Sequence, residues 1–159
     1  MYNDKLAEII PELIATIEGL QPDSLVYCTG DPVPALEALE QQGCRVARVH
    51  NIDELDDLPH FELGVVFDYL EQQPVEEGRH LLCRLRNLKC DKVWVAVLTC
   101  PEWNFNSMIG LGFKREHCYS SGDSELCSYS YDIASYNRKR DWNNPKFWAN
   151  PENWGKYRW

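Results

Sequence analysis

Leu6, Ile9, Ile10, Leu13, Ile14 and Ile17 recur at the three- and four-residue spacing of one helical face. The chain therefore opens on a predicted amphipathic helix, with Asn3 or Asp4 as its cap, a bend at Pro11 and a stop at Gly19. Turn residues 21–24 follow, and Leu25-Val26-Tyr27-Cys28 is then an apolar run closed by Thr29-Gly30-Asp31-Pro32. Such a run between turn signals predicts a strand covered on both faces. Residues 33–42 set Leu36 and Leu39 inward and end at Gly43, which predicts a helix with glycine just past its end. A second strand is predicted at 45–49, a helical turn in the acidic stretch 51–58, and an apolar strand at 63–67 that stops at Asp68.

The second half repeats the alternation. Pro74, Glu76 and Glu77 open a helix over 74–88 whose Leu81, Leu82, Leu85 and Leu88 share a face. Val93, Val95 and Val97 around Trp94 and Ala96 mark a strand at 92–98, and a short helix over 106–111 closes at Gly112. Segments 113–119 and 126–133 flank Ser120-Ser121-Gly122-Asp123-Ser124, turn chemistry suited to an antiparallel hairpin. Strand and helix alternating in series imply parallel strands with right-handed crossovers. The expected fold class is α/β, a three-layer sheet that is mostly parallel and ends in a C-terminal antiparallel hairpin.

The 159 residues suit one domain, and 44% hydrophobic with 26% charged residues is a globular composition. No run approaches the roughly 20 apolar residues that span a bilayer. Glu8, Pro11 and Glu12 interrupt the first segment where a secretory signal would be apolar, so the expected location is cytoplasmic. The net charge of −9 argues against a general nucleic-acid binder.

That charge is unevenly spread. From Arg138 to Trp159, six Lys/Arg stand against Asp141 and Glu152, a net of +4 that leaves −13 on residues 1–137. The same stretch carries Trp142, Phe147, Trp148, Trp154, Tyr157 and Trp159 among Asn-Pro pairs. The chain thus divides into a body, 1–137, and a basic, tryptophan-rich tail, 138–159, expected to pack on it. The competing readings are stacking on nucleobases, or docking on a partner protein or a second copy of the chain.

Seven cysteines, Cys28, Cys44, Cys83, Cys90, Cys100, Cys118 and Cys127, are scattered without a C-x-x-C pair. Neither a zinc site nor a disulfide framework is indicated, and the expectation is buried free thiols. His50, His60, His80 and His117 show no metal-like spacing.

Open α/β sheets place ligand-contacting groups beyond the carboxyl ends of their strands. Asp68 stands at such an end, where it could orient a substrate or act as a base, or else cap the following turn. Asp31, at the first strand-to-helix turn, reads as a helix N-cap. Cys100 closes the strongest strand, with no Lys, Arg or His near it in sequence to activate its thiol.

The order of these elements, with the hairpin after Leu111-Gly112-Phe113, resembles the class I S-adenosylmethionine-dependent methyltransferases, a Rossmann-like fold with an antiparallel final strand. The resemblance covers about residues 24–133 and implies a cofactor over Thr29-Gly30-Asp31-Pro32. Gly30 and Asp31 would then contact S-adenosylmethionine, and either His50 or Asp53 would take the place of the acidic residue that binds its ribose. Asp68 would be the catalytic candidate. The cofactor loop of that family is rich in glycine, whereas here Gly30 stands alone and Pro32 and Pro34 each lack an N–H. The interval 49–63 is too short for a further strand between two helices, so one edge strand is expected to be missing. The tail resembles that of an uncharacterised bacterial family. Two functions follow from the resemblance: a methyltransferase-like domain that binds S-adenosylmethionine or a related nucleotide, or a non-catalytic interaction module that kept the fold and lost the cofactor site.

Overall fold

The computed structural model describes residues 2–136 and, beyond them, Asn150, Glu152, Gly155 and Lys156. The tail therefore lies almost wholly outside the described residues, as does its expected packing on the body.

Six strands form one sheet in the order β2-β1-β3-β4-β6-β5. β1 (Ser24–Thr29), β2 (Arg45–Arg48), β3 (Phe61–Phe67) and β4 (Cys90–Leu98) run parallel, and β5 (Lys114–Ser121) with β6 (Ser124–Asp132) makes the antiparallel hairpin. β6 lies between β4 and β5, so the hairpin enters the sheet through its second strand. β2 ends the sheet on the other side, where the short 49–63 interval predicted a missing strand.

The three layers follow from the apolar pattern. α1 (Tyr2–Leu20) covers one face with Ile9, Leu13 and Ile17, joined by Leu36 of α2 (Pro34–Glu37) against Leu25, Tyr27, Leu63, Val65 and Trp94. The other face carries Leu81 and Leu82 of α3 (Val75–Arg84) and Met108 of α4 (Phe105–Gly110) against Val26, Val66, Val93 and Val95. Because β1, β3 and β4 are buried on both sides, nearly every residue in them is apolar. Glu12 fastens α1 to the hairpin: its carboxylate accepts Ser128 Oγ at 2.6 Å and Tyr119 Oη at 3.0 Å.

Several expectations are corrected. α1 already includes Asn3 and Asp4, and it runs through Gly19 to Leu20, with Gln21 taking the left-handed conformation (φ 45°) that ends it. The helix expected over 33–42 is one α-helical turn continued as a 3₁₀ segment, Ala38–Gln42, though Gly43 does close it at φ 91°. Its N-cap is Val33, not Asp31. α3 widens into a π turn, Leu85–Lys89, which adds a residue to the turn and rotates Leu88 out to 65% exposure. The free-thiol expectation holds for five cysteines, of which Cys28 and Cys90 are buried, but Cys118 and Cys127 are joined as a disulfide. Hairpin register places these two directly opposite one another, a proximity that their separation in sequence does not reveal.

Candidate functional site

The chain builds β2 to one side of β1, then crosses over to place β3 on the other. The gap beyond the carboxyl ends of β1 and β3 is thus the topological switch point, where a sheet of this kind offers a ligand its widest approach. Gly30 follows β1 and Asp68 follows β3. Thr29 pairs with Phe67 in register, so Gly30 and Asp68 come next to each other.

They are pressed together. A Cβ on Gly30 would lie 2.7 Å from Asp68 Oδ2, 2.8 Å from the Asp68 carbonyl oxygen and 3.1 Å from Gln72 Nε2. The absence of a side chain at Gly30 is therefore used by Asp68. Asp68 itself adopts φ 49°, a left-handed conformation that Asp tolerates better than most residues. Gln72, one turn on, holds it there by donating to Asp68 Oδ1 at 3.0 Å and to its carbonyl at 3.2 Å.

The β1 loop is also tied from below. Arg48, at the end of β2, donates from Nη2 to the carbonyls of Gly30 at 3.0 Å and Thr29 at 3.5 Å, while its buried Nε has no partner. Thr29 Oγ1 donates to the Asp31 carbonyl. Asp31 is exposed, and the helix after it is four residues long.

His50 is exposed, and its ring Nδ1 lies 3.4 Å from Glu54 Oε2. The same carboxylate accepts the His50 backbone N–H at 2.9 Å, which holds Glu54 below the usual carboxylate range. Tyr69 reaches across to donate its hydroxyl to the His50 carbonyl at 2.9 Å, and burial pushes that phenol up. Asp53 lies in the following 3₁₀ turn, Ile52–Leu55, capped by Asn51 and facing solvent.

The structure thus brings Gly30 and Asp68 into contact and links His50 to the same rim through Tyr69. It leaves Asp31 and Asp53 at the surface. Sequence reasoning missed Arg48, Tyr69, Glu71 and Gln72. Glu71 accepts the Leu98 N–H at 2.8 Å with Oε1 and buries Oε2 without a partner, and desolvation raises its pKa. Gln72 was findable from its i+4 distance to Asp68; the other three depend on contacts between strands.

These residues do not fit a dinucleotide-type cradle. Such a cradle needs open space over a glycine and free backbone N–H groups beyond it. Here the space beside Gly30 holds Asp68 and Gln72, Pro32 and Pro34 remove two donors, and both neighbouring carbonyls are taken by Arg48. A cavity of about 520 Å³ exists elsewhere, between α1 and the sheet, at the end where β3 and β4 begin; it is lined by Glu12, Leu20, Lys92, Trp94, Glu116 and Tyr131 among others.

Residues 4–159 match a family described as a family of unknown function, DUF6231. The chain belongs to that family. No curated protein matches it. Solved structures share the DUF6231 chain's fold at low identity. Magnesium protoporphyrin IX methyltransferase from Synechocystis PCC 6803, with bound SAM, superposes at TM-score 0.50 and 13% identity, covering 81% of this chain and 78% of that one. The 1,6-didemethyltoxoflavin-N1-methyltransferase of Burkholderia thailandensis, with 1,6-didemethyltoxoflavin and S-adenosylhomocysteine bound, gives 0.50 and 13%, with 77% of each chain covered. An Escherichia coli rRNA methylase gives 0.51 and 14%, with 82% and 66% covered. The DUF6231 chain thus has a Rossmann-like, methyltransferase-like fold. Among the described residues no helix is long and apolar enough to cross a membrane.

Proposed function

We propose that this protein is a non-catalytic member of the methyltransferase-like fold, an interaction protein in which the cofactor crevice has become part of the framework. The observation that carries this reading is the seating of Asp68 and Gln72 in the space beside Gly30. In this reading Asp68 is a structural residue of the rim, and Gly30 is small because Asp68 needs the room. Residues 138–159 are the segment offered to a protein partner or a second copy, since Trp, Tyr and Arg carry most interface energy and are concentrated there.

A second reading has support of its own. Two proteins of similar fold hold SAM or S-adenosylhomocysteine, and in this chain Gly30, Asp31, His50, Asp53 and Asp68 all follow the carboxyl ends of β1, β2 and β3, the end where open α/β sheets take ligands. On that reading Asp68 and Gln72 swing aside for S-adenosylmethionine, and the domain is an enzyme that transfers its methyl group.

Thermal unfolding with millimolar S-adenosylmethionine and S-adenosylhomocysteine separates the two, because a ligand selective for the folded state raises the midpoint by mass action. The proposal expects no shift with either compound. A dose-dependent rise that disappears in Gly30→Val would overturn it and restore the methyltransferase reading.

A further inference from the structure

Cys118 and Cys127 face one another across β5 and β6, with Cα atoms 4.1 Å apart. Five other cysteines remain thiols, so this is one bridge in a thiol-bearing chain rather than a disulfide framework. Cys118 is half-buried on the last strand of the sheet, and Cys127 is buried beneath it. An external thiolate therefore reaches Cys118 first.

A third ligand-type atom accompanies the two sulfurs. A carboxylate oxygen of Glu125 lies with both of them inside a 4.8 Å cluster. That carboxylate accepts the Thr99 hydroxyl at 3.4 Å and forms no ion pair with a described residue. Thr99 Oγ1 also stands 3.6 Å from Cys127 Sγ, so one hydroxyl touches both prospective ligands. Tetrahedral zinc holds thiolate sulfur at about 2.3 Å and carboxylate oxygen at about 2.1 Å, which spaces its ligand atoms about 3.6 Å apart. Glu125 lies within 4.8 Å of both sulfurs, so it has at most about 1 Å to close, and the sulfurs part once their bond is reduced. β5 can yield to this, because its register with β6 shifts between Arg115 and Cys118 and, among the described residues, it pairs with β6 alone.

We propose that Cys118, Cys127 and Glu125 form a redox-gated site for a soft divalent cation of the zinc class. In the oxidised state the S–S bond leaves no thiolate to bind metal. A dithiol reductant opens the site: its two sulfhydryls become a disulfide, and the Cys118–Cys127 bond accepts two electrons and two protons. The cation then displaces both thiol protons to solvent, forms one bond to each sulfur and a third to Glu125, and keeps a water in the fourth position.

The test uses the full chain, oxidised or fully reduced and then freed of reductant without air, titrated with zinc against a chromophoric chelator. Thiol counts in denaturant verify the state, five when oxidised and seven when reduced. Reduced protein is expected to bind one zinc more than oxidised protein, and Cys118→Ser to lose it. Glu125→Gln keeps both thiols and the capacity to close the disulfide, and is expected to weaken zinc by roughly tenfold or more. Cobalt(II) in place of zinc should add a thiolate charge-transfer absorption in the reduced protein alone. Equal zinc uptake in the two states overturns the proposal, as does unchanged affinity in Glu125→Gln, which decides the matter even if Cys118→Ser does not fold.

Discussion

The hydroxyl of Tyr69 donates to the carbonyl of His50 at 2.9 Å, tying the second residue after β3 to the second residue after β2 across the end of β1. Among the described residues β2 is an edge strand of four residues paired with β1 alone, and this bond helps to fix the segment that follows it. Tyr69→Phe should cost about 1 kcal/mol in urea unfolding, the usual net value of such a bond. Amide exchange in residues 45–48 should quicken more than in β3. An unchanged unfolding midpoint would mean that water replaces the phenol without loss.

The contact between Gly30 and Asp68 predicts a coupled pair. Gly30→Ala should destabilise by about 1–3 kcal/mol, the range for forcing extra volume into a packed site. Asp68→Gly removes the carboxylate and suits φ 49°, yet leaves the carbonyl 2.8 Å from the added methyl. The double variant should therefore recover part of the loss but not all of it. A double-mutant cycle measures this; strict additivity would contradict the packing described.

Glu71 gives a prediction in pH. Desolvation raises its carboxyl pKa above the ordinary range, ahead of the lowering effect of the Leu98 N–H. The folded protein thus holds this proton more tightly than the unfolded chain does. That contribution favours folding below the ordinary Glu pKa and is lost as pH rises through the raised folded value. Glu71→Gln keeps an acceptor for Leu98 and removes the charge, so it should be more stable than the parent at neutral pH. The advantage should shrink as the buffer is made acid through the carboxylate range. Urea midpoints across that range check the sign, and a gap that widens in acid would refute it.

Burial pushes the thiols of Cys28 and Cys90 up to about 12. At neutral pH they are almost wholly protonated and shielded, whereas Cys83 and Cys100 are half-exposed. Alkylation of the native protein followed by peptide mass mapping should label Cys83 and Cys100 well before Cys28 and Cys90. Labelling of Cys28 at a comparable rate would show that the end of β1 opens locally.

The sheet was legible because its central strands are covered on both sides and must be apolar throughout, as 25–28, 63–67 and 93–97 are. The lost edge strand was legible as a chain-length argument. The rim was not. Asp68 was visible as a strand-end carboxylate, but nothing in the sequence places it against Gly30, since that contact needs the parallel register of β1 and β3. Arg48 escaped for a similar reason: it reads as an exposed edge residue until its guanidinium is seen reaching the carbonyls of a neighbouring loop. Asp31 was misread as a cap because its spacing fits one, while Pro32 and Pro34 delay the helix so that Val33 takes the cap position. The Cys118–Cys127 pair depends on hairpin register, which no spacing rule supplies.

Ending the sheet at β2 also changes what the molecule presents to its neighbours in a crowded solution. An exposed row of unpaired amides invites a second sheet to add on, the first step toward fibrils. Among the described residues this one is only four residues long, and the guanidiniums of Arg45 and Arg48 at its two ends are turned inward to the carbonyls of His60, Thr29 and Gly30, so brevity is what protects it. The opposite border, β5, is twice as long, and exposed Lys114, Arg115, Glu116 and His117 put charge along it, so the described sheet answers this hazard by brevity at one border and by charge at the other.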